Sequence, residues 1–163
     1  MHAEMSGFTC HILPPDQARL VYPLVREAVP TLGLKAWLSF AKQVSNPRRW
    51  THEGIMVVQR LPRPLPCGLF LYRREQDLAH GPILVAEHLV AVDVLDPEPV
   101  LRALLSELDA LAARLECTAI RTMVLGQSSF VESGLHAAGH RRQGTTLWKP
   151  LENGSNRAGT LDG

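Results

Sequence analysis

The stretch from Ile83 to Leu125 constrains the fold more than any other part of the chain. Ile83 to Leu95 is a run of mostly β-branched and aliphatic residues, apolar on both faces, as expected of a strand buried in the middle of a sheet. The strongest helical period follows: Leu101, Leu104, Leu105, Leu108, Leu111, Ala112 and Leu115 share one stripe, with Arg102, Ser106, Glu107, Asp109 and Arg114 off it. Ala119 to Leu125 then returns as a strand. Strand, long helix and strand in this order predict a right-handed crossover between parallel neighbours.

The flanking segments extend this unit at both ends. Phe8 to Leu13 is β-prone and stops at Pro14-Pro15, after which Asp16 can cap a helix carrying Ala18, Leu20, Val21, Leu24, Val25 and Ala28, bent or split at Pro23. Leu34 to Val44 is a second helix, ended by Ser45-Asn46-Pro47. Ile55 to Val58 and Leu69 to Tyr72 are strands of an antiparallel hairpin joined through a proline-rich connection. Ser129 to Glu132 has the form of a capping box opening a short helix to about Ala138. Gly139 gives that helix a left-handed stop, and Arg141 to Trp148 reads as a last strand. From Glu152 the Gly, Ser and Asn content suggests a mobile tail.

Composition excludes several classes. A chain of 163 residues with 45% hydrophobic side chains suits a single domain, read here as 1–151 with 152–163 as tail. Seventeen basic against 16 acidic side chains leave none of the basic excess that nucleic-acid phosphates require. Cys10, Cys67 and Cys117 are odd in number and widely spaced, which favours a reducing compartment over a disulfide framework or a metal knuckle. Neither a signal peptide nor a run long enough to span a membrane is present, so the expected location is the cytoplasm.

The order of elements, together with Phe130-Val131-Glu132-Ser133-Gly134-Leu135-His136-Ala137-Ala138-Gly139-His140 and the closing Leu147-Trp148-Lys149-Pro150-Leu151, resembles the GNAT N-acetyltransferase superfamily. The likeness of pattern runs from about Phe8 to Leu151. It implies an α/β (α+β) fold with a mixed central sheet of about six to seven strands flanked by about four helices. It also implies an acetyl-CoA or other acyl-CoA donor lying where two central parallel strands splay apart. Val92, Val94 and Leu95 at the strand end, with Val100, Leu101 and Arg102 at the helix start, would then border the donor, and strand backbone groups would hold its pantetheine arm.

In that family backbone N–H groups of a Gly-rich loop opening the long helix hold the pyrophosphate, as helix N-termini generally can. The matching segment here, Leu95-Asp96-Pro97-Glu98-Pro99-Val100, contains no glycine. With Asp96 as cap, Pro97 and Pro99 remove two N–H donors, and Asp96 and Glu98 put carboxylates where phosphates would sit. Such a turn is a good helix start and a poor pyrophosphate cradle.

The catalytic candidates are Glu87, His88 and His136. The resemblance implies a glutamate or a held water on the central strand as base, because an ammonium must lose its proton before it attacks a thioester. Glu87 and His88 lie in that strand, on opposite faces by its period of two. The position resembling the family's proton-donating tyrosine is Leu135, which cannot donate, and His136 beside it is the substitute. Arg48, Arg49 and Trp50 could meet an anionic ligand near the acceptor side of the cleft. His136 and His140 lack a third ligand, so no metal is expected. Two readings stand: an acyl-CoA-dependent N-acyltransferase acting on an amine with an atypical donor site, or a non-catalytic module of this fold binding a metabolite or a partner protein. A homodimer through the last strand would cover an exposed edge.

Overall fold

A computed structural model describes residues 3–5, 7–124 and 128–151. Six strands form one sheet in sequence order: β1 Ala3–Met5, β2 Phe8–Ile12, β3 Glu53–Arg60, β4 Leu65–Asp77, β5 Gly81–Ala91 and β6 Ala119–Met123. β1 to β5 are mutually antiparallel. The pair β5 and β6 is parallel, joined by the crossover helix α3, Glu98–Arg114. The expected sheet and crossover are therefore present, and the antiparallel hairpin is joined over Leu61 to Pro64, because Leu65 and Pro66 already pair with Arg60 and Gln59 in the ladder.

Strand alternation sorts the side chains onto two helical layers. Met56 and Val58 of β3, Phe70 of β4 and Leu84 and Ala86 of β5 pack with the stripe of α3 and with Val131 and Leu135 of α4, Ser129–Ala137. On the opposite face Ile55, Val57 and Leu69 pack with α1, Tyr22–Ala28, and α2, Leu34–Val44. Among the described residues no helix is long and apolar enough to cross a membrane.

Several local expectations shift. The first helix is divided: Asp16 lies in a 3-10 turn over Pro15–Gln17, and α1 begins only at Tyr22 with Pro23 in its first turn, where a missing N–H costs nothing. β5 ends at Ala91 rather than Leu95. The cap of α4 is Ser128, whose Oγ accepts from Val131 N, so Ser129 is the first helical residue and Glu132 turns outward to Arg142 and His136. Glu107, read as off the stripe, is buried in an ion pair of 2.6 Å with Arg114. Gly139 has φ +92, the left-handed stop expected, and His140 N reaches back to Leu135 O. Arg141 to Trp148 forms no strand; Leu147 and Trp148 are 89% and 88% exposed. Its β propensity is local, and a strand also needs a partner edge. The tail from Glu152 lies outside the described residues.

The close approach of α3 to the sheet depends on Gly68. A Cβ there would stand 2.9 Å from both Leu104 Cδ1 and Val100 Cγ1, and 3.0 Å from Val90 O. Gly68→Ala is expected to lower stability by about 1–3 kcal/mol, the usual cost of overpacking, and a urea titration with unchanged m-value checks it. Burial pushes the Cys10 and Cys67 thiols up to about 12 and about 11. At pH 8 Ellman's reagent should therefore titrate Cys117 promptly and Cys10 and Cys67 only once the chain is unfolded.

Candidate functional site

The site is created by a defect in β5. Leu71 pairs with Glu87 and Leu69 with Val90, so Phe70 alone on β4 stands opposite both His88 and Leu89. This is a β-bulge, and His88 takes φ +54 to make it. Before the bulge Leu84 and Ala86 face α3; after it Leu89 and Ala91 do, while Val90 packs on the α1 and α2 side. Face assignment thus reverses at His88, which modifies the simple alternation expected for Glu87 and His88.

The parallel ladder ends at the same point. Its last register pair is Glu87 with Met123, after which β5 continues to Ala91 and β6 stops. Between the parted strands lies a channel of roughly 220 Å³, walled by Leu89 to Val92 on one side and by Met123, Val124 and Phe130 on the other, with Ser128 at its border. His88 lines this channel and also a broad open cleft of roughly 1930 Å³ that runs along β6 and is bordered by Glu87, Arg73, His136 and Trp148.

Glu87 and His88 differ sharply in their partners. The Glu87 carboxylate is ion-paired with Arg73 Nη1 at 2.9 Å, and Arg73 is also paired with Glu75, which Arg121 holds from the other side at 2.6 Å. The hydrogen bond that Arg73 donates to Glu87 raises the Arg73 pKa above its ordinary value, against the opposing effect of burial, so this guanidinium stays charged. His88 Nδ1 is buried with no hydrogen-bond partner among the described residues.

The other candidates are distributed as follows. Val92 lines the channel, whereas Val94 and Leu95 project from the β5–α3 turn at 99% and 93% exposure. Val100 and Leu101 point into the core, because the apolar stripe of α3 begins with them, and Arg102 lies on the surface against Glu98 at 2.8 Å. Arg48, Arg49 and Trp50 border neither cavity: Arg49 pairs with Glu53 at 2.8 Å, Trp50 donates to Ser45 O, and Arg48 is exposed. Leu135 is buried in the core, and His136 Nδ1 lies 3.0 Å from His140 O. Among the described residues no group of three His, Cys, Asp or Glu side chains could hold a metal ion.

Sequence reasoning missed Arg73 and Asp93. Asp93 Oδ1 accepts from Leu95 N at 2.8 Å and from Asp96 N at 3.2 Å, Asp96 Oδ1 accepts from Glu98 N at 3.0 Å, and Arg60 pairs with Asp93 Oδ2. The helix cap falls at Pro97, one residue later than Asp96, although Asp96 supplies the capping carboxylate. An aspartate two and three residues before free N–H groups is an Asx-turn signal that the sequence does carry.

The overall fold has counterparts among solved structures. An aminoglycoside N-acetyltransferase, AAC(6')-Iy, in complex with CoA superposes with a TM-score of 0.74 over 93% of this chain and 99% of that one at 10% identity. The chain has the fold of the GNAT acetyltransferases. Glucosamine-6-phosphate N-acetyltransferase from Arabidopsis thaliana gives a TM-score of 0.71 at 11% identity, covering 89% of this chain and 99% of that one. Ribosomal-protein-alanine N-acetyltransferase from Brucella melitensis biovar Abortus 2308 gives 0.70 at 9% identity, covering 88% and 99%. No family model and no curated protein sequence matches the chain. At these identities the GNAT likeness is one of fold, and the chemistry has to be argued from the site.

The bulge makes a stability prediction. Asparagine tolerates the left-handed region and a β-branched residue does not, so His88→Val should cost about 1–3 kcal/mol more than His88→Asn in chemical denaturation. Equal costs would mean that β5 does not need the bulge.

Proposed function

We propose that the protein is an N-acyltransferase that takes an acyl group from a thioester of the acyl-CoA type to an amine, with an atypical donor site. The observation that carries this reading is the parting of β5 and β6 directly beside Glu87. An extended chain bearing amide groups fits such a channel, because strand backbone no longer spent on the ladder can pair with it.

Glu87 is placed to take the proton that an ammonium must lose before attack. Its carboxylate borders the cleft, held by Arg73 at 2.9 Å, and can take that proton directly or through a water. On the opposite wall Leu135 has no proton to give, so return of a proton to the leaving sulfur falls to His136 or to solvent. The amine itself enters by the broad cleft along β6, whose outer edge no strand among the described residues covers. With no strand over Arg141 to Trp148, the homodimer expected through it lacks that edge.

The second reading, a non-catalytic module binding a metabolite or partner protein in the same cleft, is favoured by the carboxylate-filled turn at the start of α3. Thiol release from acetyl thioesters in the presence of a panel of amines separates the two. Turnover is expected, and Glu87→Gln should lower kcat/KM by about 10²–10⁴-fold. Binding without turnover for every amine would leave the module reading, and turnover unaltered in Glu87→Gln would remove Glu87 as the base.

A further inference from the structure

The β5–α3 turn is the place where a helix start could read phosphates, and the chain has already filled it. The N–H groups of Leu95 and Asp96 donate to Asp93, and that of Glu98 donates to Asp96. Pro97 and Pro99 have no N–H to offer. Arg60 is held by Asp93, with its guanidinium 5.1 Å from the centre of the Phe8 ring, and Arg102 by Glu98. The N–H bonds of Leu95 and Asp96, aided by Arg60, hold the Asp93 carboxyl below the usual carboxylate range, so the turn carries its own anion throughout the neutral range.

The two ends of the donor site therefore differ. The channel between β5 and β6 mixes aliphatic side chains with polar groups, among them His88 and Ser128, as an amide-bearing pantetheine arm requires, whereas the turn does not fit the diphosphate of CoA. We propose that Asp93 is a built-in occupant of the anion position at the start of α3, so that the protein takes its acyl thioester by an uncharged pantetheine-like arm and does not read a diphosphate. This rests on the acyltransfer reading above and names the class of donor. Its physical basis is competition: a phosphate would have to displace a tethered carboxylate from the same N–H groups, beside two further acids, Asp96 and Glu98.

Calorimetric titration of the full chain with S-acetyl-pantetheine and with acetyl-CoA tests this, in wild type and in Asp93→Asn. Asparagine keeps an oxygen to accept from Leu95 and Asp96 N–H, so the turn retains its shape while losing its charge and releasing Arg60. Wild type should bind the two ligands with affinities within about threefold, showing no benefit from the nucleotide. Asp93→Asn should bind acetyl-CoA roughly ten- to a hundredfold more tightly, the size of a recovered charge-assisted contact, with S-acetyl-pantetheine unchanged. Acetyl-CoA binding wild type more than about tenfold tighter than S-acetyl-pantetheine would overturn the inference while leaving acyl transfer intact. Equal binding in wild type with no gain in Asp93→Asn would overturn the role of Asp93. Binding of neither thioester to either protein would remove the acyltransfer reading itself, and this inference with it.

Discussion

A histidine held at φ +54 inside a central strand is a conformation that side chains with a Cβ avoid, at a typical cost of about 1–3 kcal/mol. The rest of the site follows from it. Placing two residues of β5 opposite one of β4 reverses which side chains face which helical layer. The turn in strand direction takes β5 away from β6 after Glu87, so that backbone which would have continued the ladder borders a channel instead. The tight packing of α3 on Gly68, against Leu104 and Val100, fixes the far side of this distorted strand through Val90. The helix thus supports the bulge it follows.

Charge around the site is organised in two separate groups. Near the bulge, Glu87, Arg73, Glu75 and Arg121 alternate in sign across β4, β5 and β6, each cation lying between or beside carboxylates. All four are partly solvated, so their net contribution to stability is small, and their consequence is positional: Glu87 is kept at one place on the cleft. At the turn, Asp93, Asp96 and Glu98 are met by Arg60 and Arg102. Three acids against two arginines leave the helix start negative, which its dipole tolerates and an incoming anion would not.

The crossover was legible because it depends on period alone: a two-sided apolar strand, a leucine stripe and a second strand admit few arrangements. Leu34 to Val44 was legible for the same reason, with its end marked by Ser45-Asn46-Pro47. What failed depends on contacts between distant segments. Arg73 reaches Glu87 because Leu71 pairs with Glu87 and Arg73 with Val85, a diagonal that only the register reveals. No glycine announces the bulge, since His88 occupies the left-handed position. Ser128 and Ser129 are both competent caps one residue apart, and sequence gives no means of choosing. Thr145 to Trp148 has strand composition without a strand beside it, which is how a propensity for half-buried pleated surface comes to nothing.

Retaining a parted sheet while closing its anion turn asks for an explanation that treats the two features separately. The parting forfeits backbone pairing and keeps a strained residue, so it is maintained against a cost, and an extended amide-bearing ligand is the chemistry that would recover the unspent groups. The turn recovers its own: Asp93 accepts from the N–H groups of Leu95 and Asp96 before the helix, and Asp96 from that of Glu98, the first helical residue. A tethered carboxylate meets those groups at an effective concentration that a free phosphate ester must exceed, and the helix dipole stabilises either anion alike. The dipole therefore cannot discriminate between them, and the discrimination rests on the tether, on the two missing proline donors and on the added charge of Glu98.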